Sequence, residues 1–183
     1  MFRQFRGRVE CAVALMFILV LAASAEDNLK VGDPAPDFTL PSATKDSVNS
    51  ADLKLSQVIG RNNIVLAFYP ADWSGGCTKE MCTMRDEFSA LSELGATIFG
   101  ISGDYVYSHR EWAKYLNLQF ALLSDHTHDV ARTYQSYNPE SGFNRRTVYV
   151  VDRKGNIAYM DLAYKAGTPD SFQRLKDALA KLK

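Results

Sequence analysis

Residues 63–82, NIVLAFYPADWSGGCTKEMC, join a predicted strand to a predicted helix at a cysteine. The run Asn63–Tyr69 is apolar after its first residue and ends at Pro70, which is typical of a strand buried in a parallel sheet. Apolar residues then recur at spacings of three and four, so the sequence predicts a helix over about Cys77–Leu94. Cys77 therefore begins a helix beyond the carboxyl end of a strand, where open α/β sheets bind their ligands.

Strands and helices alternate along the rest of the chain. Residues 26–45 hold three prolines and predict an extended segment. Ser108, with Glu111 three residues later, predicts a capping box at the start of a helix. Further strands are predicted at Ala96–Ser102, Phe120–Leu123, Thr147–Asp152 and Asn156–Asp161, and helices at Ser108–Leu116, Asp125–Tyr134 and Asp170–Leu182. This order predicts an α/β fold with a mostly parallel central sheet, an antiparallel edge and helices on both faces.

The first 25 residues have the three-part pattern of a secretory signal peptide. Three arginines precede an apolar run at residues 11–23, and Ala23-Ser24-Ala25 forms a small-residue cleavage site. The run is shorter than the ~20 apolar residues that span a bilayer, so a permanent anchor is not favoured. We therefore expect a signal peptide at 1–25 and one domain at 26–183, exported to a periplasm or secreted.

The charge that remains after cleavage does not favour nucleic-acid or membrane binding. Loss of residues 1–25 leaves 18 basic and 20 acidic side chains, a net charge near −2. Such a chain lacks the basic surplus that attracts polyanions or anionic lipid. The 46% apolar content of the full 183-residue sequence is ordinary for a globular protein with a sizeable core.

Two cysteines, Cys77 and Cys82, remain in the expected mature chain. In a regular helix, two residues five positions apart have Cα atoms about 8.7 Å apart. A disulfide requires a Cα separation below ~7 Å. The pair therefore never bonds, or it bonds only after the first helical turns unwind, which is inexpensive at a helix end.

The residues around Cys77 suit a reactive thiol. A helix N-terminus stabilises a thiolate through its free N–H groups and its dipole. Gly75 and Gly76 leave those groups accessible, Ser74 places a hydroxyl about one turn before the cysteine, and Pro70 lines the site without a competing N–H. The alternative interpretation makes Ser74 only an N-cap and Cys77 a small buried apolar residue.

Four stretches of the chain, in order, resemble the peroxiredoxin family. Pro70-x-x-x-Ser74-x-x-Cys77 is similar to the peroxiredoxin active-site motif Pro-x-x-x-Thr/Ser-x-x-Cys, and Glu80 follows three residues later. The other stretches are VGDPAPDF at 31–38, FALLSD at 120–125 and RTVYVVD at 146–152. The likeness covers about residues 29–180. The Cys-x4-Cys spacing resembles the subgroup of bacterioferritin comigratory proteins, also called peroxiredoxin Q.

This resemblance implies a thioredoxin-like fold and a thiol-dependent peroxidase that reduces hydrogen peroxide and organic hydroperoxides. Cys77 would attack a peroxide oxygen and become a sulfenic acid. Cys82 would condense with that acid to an intramolecular disulfide, which a thioredoxin-like dithiol reductant would reduce. Monomers and homodimers both occur in the subgroup, and both remain open here.

The resemblance also implies roles for the neighbours of Cys77. Arg146 matches the arginine that stabilises the thiolate and the peroxide, and it is preferred to Arg145, which is interpreted as a surface charge. Ser74 would hydrogen-bond the peroxide beside Pro70, and Glu80 would orient Arg146. Trp73 is expected to shape the pocket mouth or to anchor the core.

Two other functions are considered for the same cysteine. A thioredoxin-like thiol–disulfide oxidoreductase, also exported, would require a C-x-x-C pair, but Ser74 occupies the first cysteine position. A non-catalytic peroxide sensor would oxidise Cys77 once and stop.

No cofactor or metal is predicted. His126 and His128, with Asp125 and Asp129 beside them, are interpreted as solvated surface because a zinc site would need matching ligands elsewhere. His109 receives the same interpretation.

Overall fold

A seven-stranded mixed sheet forms the centre of the fold, in a computed structural model that describes residues 28–182. The strands are β1 (Thr39–Ala43), β2 (Val48–Lys54), β3 (Asn63–Phe68), β4 (Ala96–Ser102), β5 (Ala121–Ser124), β6 (Tyr137–Asn138), β7 (Phe143–Asn144), β8 (Thr147–Val151) and β9 (Ile157–Asp161). The helices are α1 (Leu55–Val58), α2 (Gly75–Asp86), α3 (Phe88–Glu93), α4 (Val106–Leu116), α5 (Asp129–Thr133) and α6 (Pro169–Ala180). The predicted signal peptide, residues 1–25, lies outside the described residues.

The strand order in the sheet is β2-β1-β5-β4-β3-β8-β9. Strands β3, β4 and β5 are parallel to one another, whereas β8 pairs antiparallel with β3 and β1 pairs antiparallel with β5. Since β2 and β9 reverse direction again, five of the seven strands run the same way. The α/β prediction with a mostly parallel sheet is confirmed, and antiparallel pairs occur at both edges of the sheet. A separate hairpin is formed by β6 and β7.

Strand β3 is buried along its whole length because helices cover both faces of the sheet. Val65 and Ala67 pack into a core with helices α2, α3, α4 and α6. Ile64, Leu66 and Phe68 pack into a second core with α1 and α5. This two-sided burial explains why the strand is a continuous apolar run instead of an alternating pattern.

The hairpin of β1 and β2 was not predicted by the sequence. Strand β1 lies within the segment that was expected to be extended, and β2 pairs with it at the edge of the sheet. Exposed Asn49, Asp52 and Lys54 give β2 a polar composition that hides the strand in the sequence. An edge strand needs only one neighbour for its hydrogen bonds, so its residues carry a weak apolar signal.

The helical predictions differ from the structure mainly at helix ends. The predicted helix over residues 77–94 is two helices, α2 and α3, separated at Glu87. The capping box at Ser108 is wrong, because α4 begins one turn earlier with Tyr105 at its N-cap. Helix α5 is shorter than predicted, since Asp125 accepts N–H bonds from Val130 and Ala131 and thereby stays outside the helix. None of the helices described in residues 28–182 is long and apolar enough to cross a membrane.

Candidate active site

Cys77 is the third residue of α2, directly after the loop that leaves β3. Its side chain is fully buried, and it packs with the core on the α2 side of the sheet. The first intrahelical N–H bond of this region runs from Thr78 to the carbonyl of Ser74. The N–H groups of Gly75, Gly76 and Cys77 therefore precede the hydrogen-bonding ladder of the helix and face the start of α2.

Arg146 lies next to Cys77 because β8 pairs with β3. Thr147, the first residue of β8, is the register partner of Phe68, the last residue of β3, so Arg146 stands at the strand end where Cys77 begins its helix. Arg146 Nη2 donates a hydrogen bond to Cys77 Sγ over 3.1 Å. A cation beside a sulfur at a helix N-terminus is the environment in which proteins hold reactive thiolates.

Glu80, which also lies in α2, contacts the same Arg146 guanidinium. Arg146 Nη1 donates to Glu80 Oε2 over 2.5 Å, so the guanidinium bridges the carboxylate and the sulfur. Burial lowers the pKa of Arg146, but the charges of Glu80 and Cys77 outweigh that effect and raise it overall. The bridging group therefore keeps its positive charge.

The Glu80 carboxyl group is fully buried and only half satisfied. Its Oε1 atom has no hydrogen-bond partner among the described residues. Burial raises the pKa of Glu80 to about 7, although the adjacent Arg146 charge lowers it. The buried residue Tyr164 contacts the backbone of Arg146: its N–H donates to the Arg146 carbonyl over 3.2 Å.

Ser74 and Pro70 lie in the loop between β3 and α2. The Ser74 hydroxyl donates to the carbonyl of Ala71 over 3.2 Å and makes no side-chain cap to the helix. Ser74 thus occupies the N-cap position of α2, as the alternative interpretation expected, but its side chain makes no cap hydrogen bond. Since its proton is engaged, this hydroxyl is available to a ligand as an acceptor. Pro70 is half-buried beside it.

The two arginines before β8 have different surroundings. The Arg145 side chain is exposed, whereas 23% of the Arg146 side chain is exposed and its guanidinium meets Cys77 and Glu80. The structure thus brings Arg146, rather than Arg145, to the cysteine.

Cys77 and Cys82 lie in one continuous helix, α2, as the sequence predicted. Both thiols are free, and Cys82 is half-buried against the same core as Cys77. The resolving role of Cys82 stays a prediction, since it requires α2 to unwind.

Sequence reasoning missed a buried polar cluster beneath the loop. His109, interpreted as a solvated residue, is fully buried, and its Nδ1 atom lies 2.9 Å from Oδ2 of Asp72. That interpretation is wrong because His109 shares the inward face of α4 with Trp112, Ala113 and Leu116. Their spacing of three, four and seven residues is the signal that identifies the buried face of the helix.

Trp73 is a surface residue, so the alternative of a core anchor is wrong. It is 54% exposed, its indole Nε1 donates to Ser108 Oγ over 3.2 Å, and its ring lies 5.6 Å from that of Tyr115.

The two remaining histidines have separate partners. His126 Nδ1 lies 3.2 Å from the Gly103 carbonyl, and His128 Nδ1 lies 2.8 Å from Asn144 Oδ1. Among residues 28–182, no group of three His, Cys, Asp or Glu side chains is arranged to hold a metal ion.

The sequence of the chain matches a known protein family. Residues 31–160 match the AhpC/TSA family. The chain belongs to that family. It is 37% identical over 137 residues to a Coxiella burnetii protein assigned as a peroxiredoxin bcp, a match that covers 72% of this chain and 87% of that protein. It is 30% identical over 158 residues to peroxiredoxin Bcp of Bacillus subtilis, covering 82% and 97% of the two chains.

A plant relative and two solved structures extend the comparison. The chloroplastic peroxiredoxin Q of Triticum aestivum is 38% identical over 130 residues, which are 70% of this chain and 57% of that protein. Peroxidoxin BcpB of Mycobacterium tuberculosis has a TM-score of 0.73 at 27% identity, covering 85% of this chain and 99% of the other. AhpC of Enterococcus faecalis has a TM-score of 0.72 at 23% identity, covering 82% and 92%. The predicted thioredoxin-like fold and the resemblance to the Bcp and peroxiredoxin Q subgroup are confirmed.

Proposed function

We propose that this chain is a thiol-dependent peroxidase that reduces hydrogen peroxide and organic hydroperoxides at Cys77. The observation that carries the proposal is the Arg146 guanidinium, which joins the Cys77 sulfur to the buried Glu80 carboxyl at the start of α2. Relatives named peroxiredoxin, at 30–38% identity, support the same activity.

The reaction is a displacement at oxygen. The Cys77 thiolate attacks one peroxide oxygen, an S–O bond forms, and the O–O bond breaks. The displaced oxygen takes up a proton and leaves as water or an alcohol, while the sulfur becomes a sulfenic acid. Charge on the reacting oxygens is stabilised by Arg146, which already donates to the sulfur, and by the N–H groups at the start of α2.

Ser74 serves as the acceptor in this scheme. Its hydroxyl proton is held by Ala71, so its lone pairs receive the O–H of the bound peroxide. This orientation fixes the direction from which Cys77 attacks, and proximity of this kind lowers the barrier strongly.

The sulfenic acid is resolved by Cys82. Once the first turns of α2 unwind, the Cys82 thiol attacks the Cys77 sulfur, a disulfide forms, and the hydroxyl leaves as water. A thioredoxin-like dithiol then restores both thiols by exchange through a mixed disulfide.

Residues 1–25 support export of the protein, and the reductant is then one found outside the cytosol. N-terminal sequencing of the protein from its natural host is expected to begin at Glu26. A first residue upstream of the Ala23-Ser24-Ala25 site would contradict export by cleavage.

The peroxidase proposal is tested by Cys77→Ser in a coupled assay with thioredoxin, thioredoxin reductase and NADPH. The wild-type protein is expected to consume peroxide over many cycles, and the variant none. A wild-type protein that stops after one equivalent would favour the sensor. Peroxide turnover retained by Cys77→Ser would refute the proposal.

The role of Arg146 is tested by comparing Arg146→Ala with Arg145→Ala. Loss of one preorganised donor to the reacting atoms slows catalysis by about 10²–10³-fold, so Arg146→Ala should oxidise that much more slowly in stopped flow. Arg145→Ala, with an exposed side chain, should oxidise at the wild-type rate. Equal effects of the two substitutions would contradict the assignment.

A further inference from the structure

A buried polar cluster holds the loop that carries Ser74. The loop residue Asp72 is almost fully buried, and its backbone N–H donates to Asp104 Oδ2 over 2.8 Å. Its carboxylate accepts the hydroxyl of Tyr69 at Oδ1 and the hydroxyl of Ser108 at Oδ2, each over 2.8 Å. His109 Nδ1 also faces it, 2.9 Å from Oδ2 and 3.2 Å from Oδ1.

The two ring nitrogens of His109 have different partners. Nε2 faces the Leu123 carbonyl over 3.1 Å, and a carbonyl only accepts, so Nε2 carries a proton. Nδ1 faces the Asp72 carboxylate, whose oxygens already accept two hydroxyl protons. Burial, with the Asp72 charge, holds the pKa of Tyr69 well above its usual range, so that hydroxyl remains a donor. The imidazole thus joins the Leu123 carbonyl of β5 to the carboxyl group of the loop residue Asp72.

The pair adjoins a strained backbone position one residue before Ser74. Trp73, which links Asp72 to Ser74, has φ of +62°, in the left-handed region that a bulky side chain rarely adopts. Strained backbone of this kind persists where its surroundings over-determine it. Here the Asp72 carboxyl contacts three side chains, and its backbone N–H donates to Asp104. The Trp73 indole donates to Ser108, whose hydroxyl in turn donates to Asp72.

We propose that Asp72 and His109 are positioning residues of peroxide reduction: their buried contact holds the loop so that Ser74 receives the peroxide in line with Cys77. This inference rests on the proposed function. A buried histidine that contacts the loop is unnecessary for a loop that only connects two elements. It is useful where a hydroxyl must keep one position through repeated turnover.

Two substitutions of His109 distinguish its contact with Asp72 from its contact with the Leu123 carbonyl. In His109→Asn, the amide lies near the Nδ1 position and still donates to Asp72. In His109→Gln, the amide lies near the Nε2 position and keeps the Leu123 bond but loses the donor to Asp72. His126→Gln, on the surface, is the matched control.

Each variant is measured by stopped-flow oxidation of Cys77 with hydrogen peroxide and, separately, by alkylation of Cys77 with iodoacetamide. We expect His109→Gln to slow oxidation by about 10–100-fold, the effect of a small displacement in a reacting site. Alkylation needs no oriented hydroxyl and should change less than about twofold. His109→Asn should oxidise close to the wild-type rate, and so should His126→Gln. Thermal unfolding by circular dichroism verifies that each variant is folded.

The outcomes distinguish this inference from the proposed function. Oxidation of His109→Gln at the wild-type rate, or equal slowing of oxidation and alkylation, would overturn the inference while the peroxidase stands. Equal slowing in His109→Asn and His109→Gln would overturn it as well, because the Asp72 contact would then not matter. A wild-type Cys77 that reacts with peroxide no faster than free cysteine would overturn the proposed function itself.

Discussion

Replacing Glu80 by Gln removes an ionisable group from a fully buried position without changing its shape. Glu80 holds Arg146 through Oε2, and its Oε1 atom has no partner among the described residues. Burial raises the pKa of this carboxyl to about 7, and the charge of Arg146 opposes that rise without cancelling it. The native protein therefore keeps a proton on Glu80 at pH values where the unfolded chain has lost it.

The size of the effect follows from the shift. The unfolded carboxyl ionises near 4.5 and the native one near 7. Between those values the native state binds more protons, so the free energy of unfolding decreases as the pH rises. One pKa unit corresponds to 1.36 kcal/mol, which gives a loss of roughly 3 kcal/mol across this window. Glu80→Gln has no such proton and should lack this part of the pH dependence.

The assay is urea unfolding of the reduced protein and of Glu80→Gln at pH 4.5 and at pH 8. The stability of the wild type relative to the variant is expected to decrease by roughly 3 kcal/mol between the two pH values. A relative stability that is constant with pH would show that Glu80 ionises normally. A relative stability that increases with pH would show that attraction to Arg146 outweighs burial, and either result would refute the reasoning.

Two further predictions concern the same helix. A Cβ at Gly76 would lie 2.7 Å from Arg146 Nη2, the atom that bonds Cys77, whereas a Cβ at Gly75 has nothing within 4 Å. Gly76→Ala should therefore slow peroxide oxidation of Cys77 by about tenfold or more with little change in melting temperature, and Gly75→Ala should not; equal rates in stopped flow would contradict this. Cys82→Ser should react once with peroxide but form no intramolecular disulfide, and sustained turnover with thioredoxin would argue against the resolving role.

The sequence predicted the elements that carry a strong apolar pattern. Strand β3 is apolar because both its faces are buried, and that pattern also located Cys77 at the start of a helix. Strand β2 escaped prediction because Asn49, Asp52 and Lys54 face solvent at the edge of the sheet. Glu87, which separates α2 from α3, interrupts the helix without interrupting the apolar spacing, so periodicity alone joined the two helices.

The residues of the site were predicted less completely than the fold. Arg146 lies 69 positions from Cys77, and only the family resemblance linked them; the pairing of β8 with β3 supplies the physical reason. Asp72 and His109 were missed because no local sequence pattern indicates a contact between a loop residue and a helix residue 37 positions later. Their pairing depends on how α4 packs against the loop. That packing is not visible in the pattern of neighbouring residues in the sequence.

The complete burial of Cys77 also sorts its reactants by size. A peroxide needs only a small local motion to reach this sulfur, whereas a protein thiol or disulfide must approach along the S–S axis and needs a much larger opening. The Cys77 thiol of the reduced protein is thus shielded from mixed disulfides with other proteins. In the proposed cycle, unwinding of α2 after oxidation exposes this sulfur, so the oxidised protein is the form that offers it to the reductant.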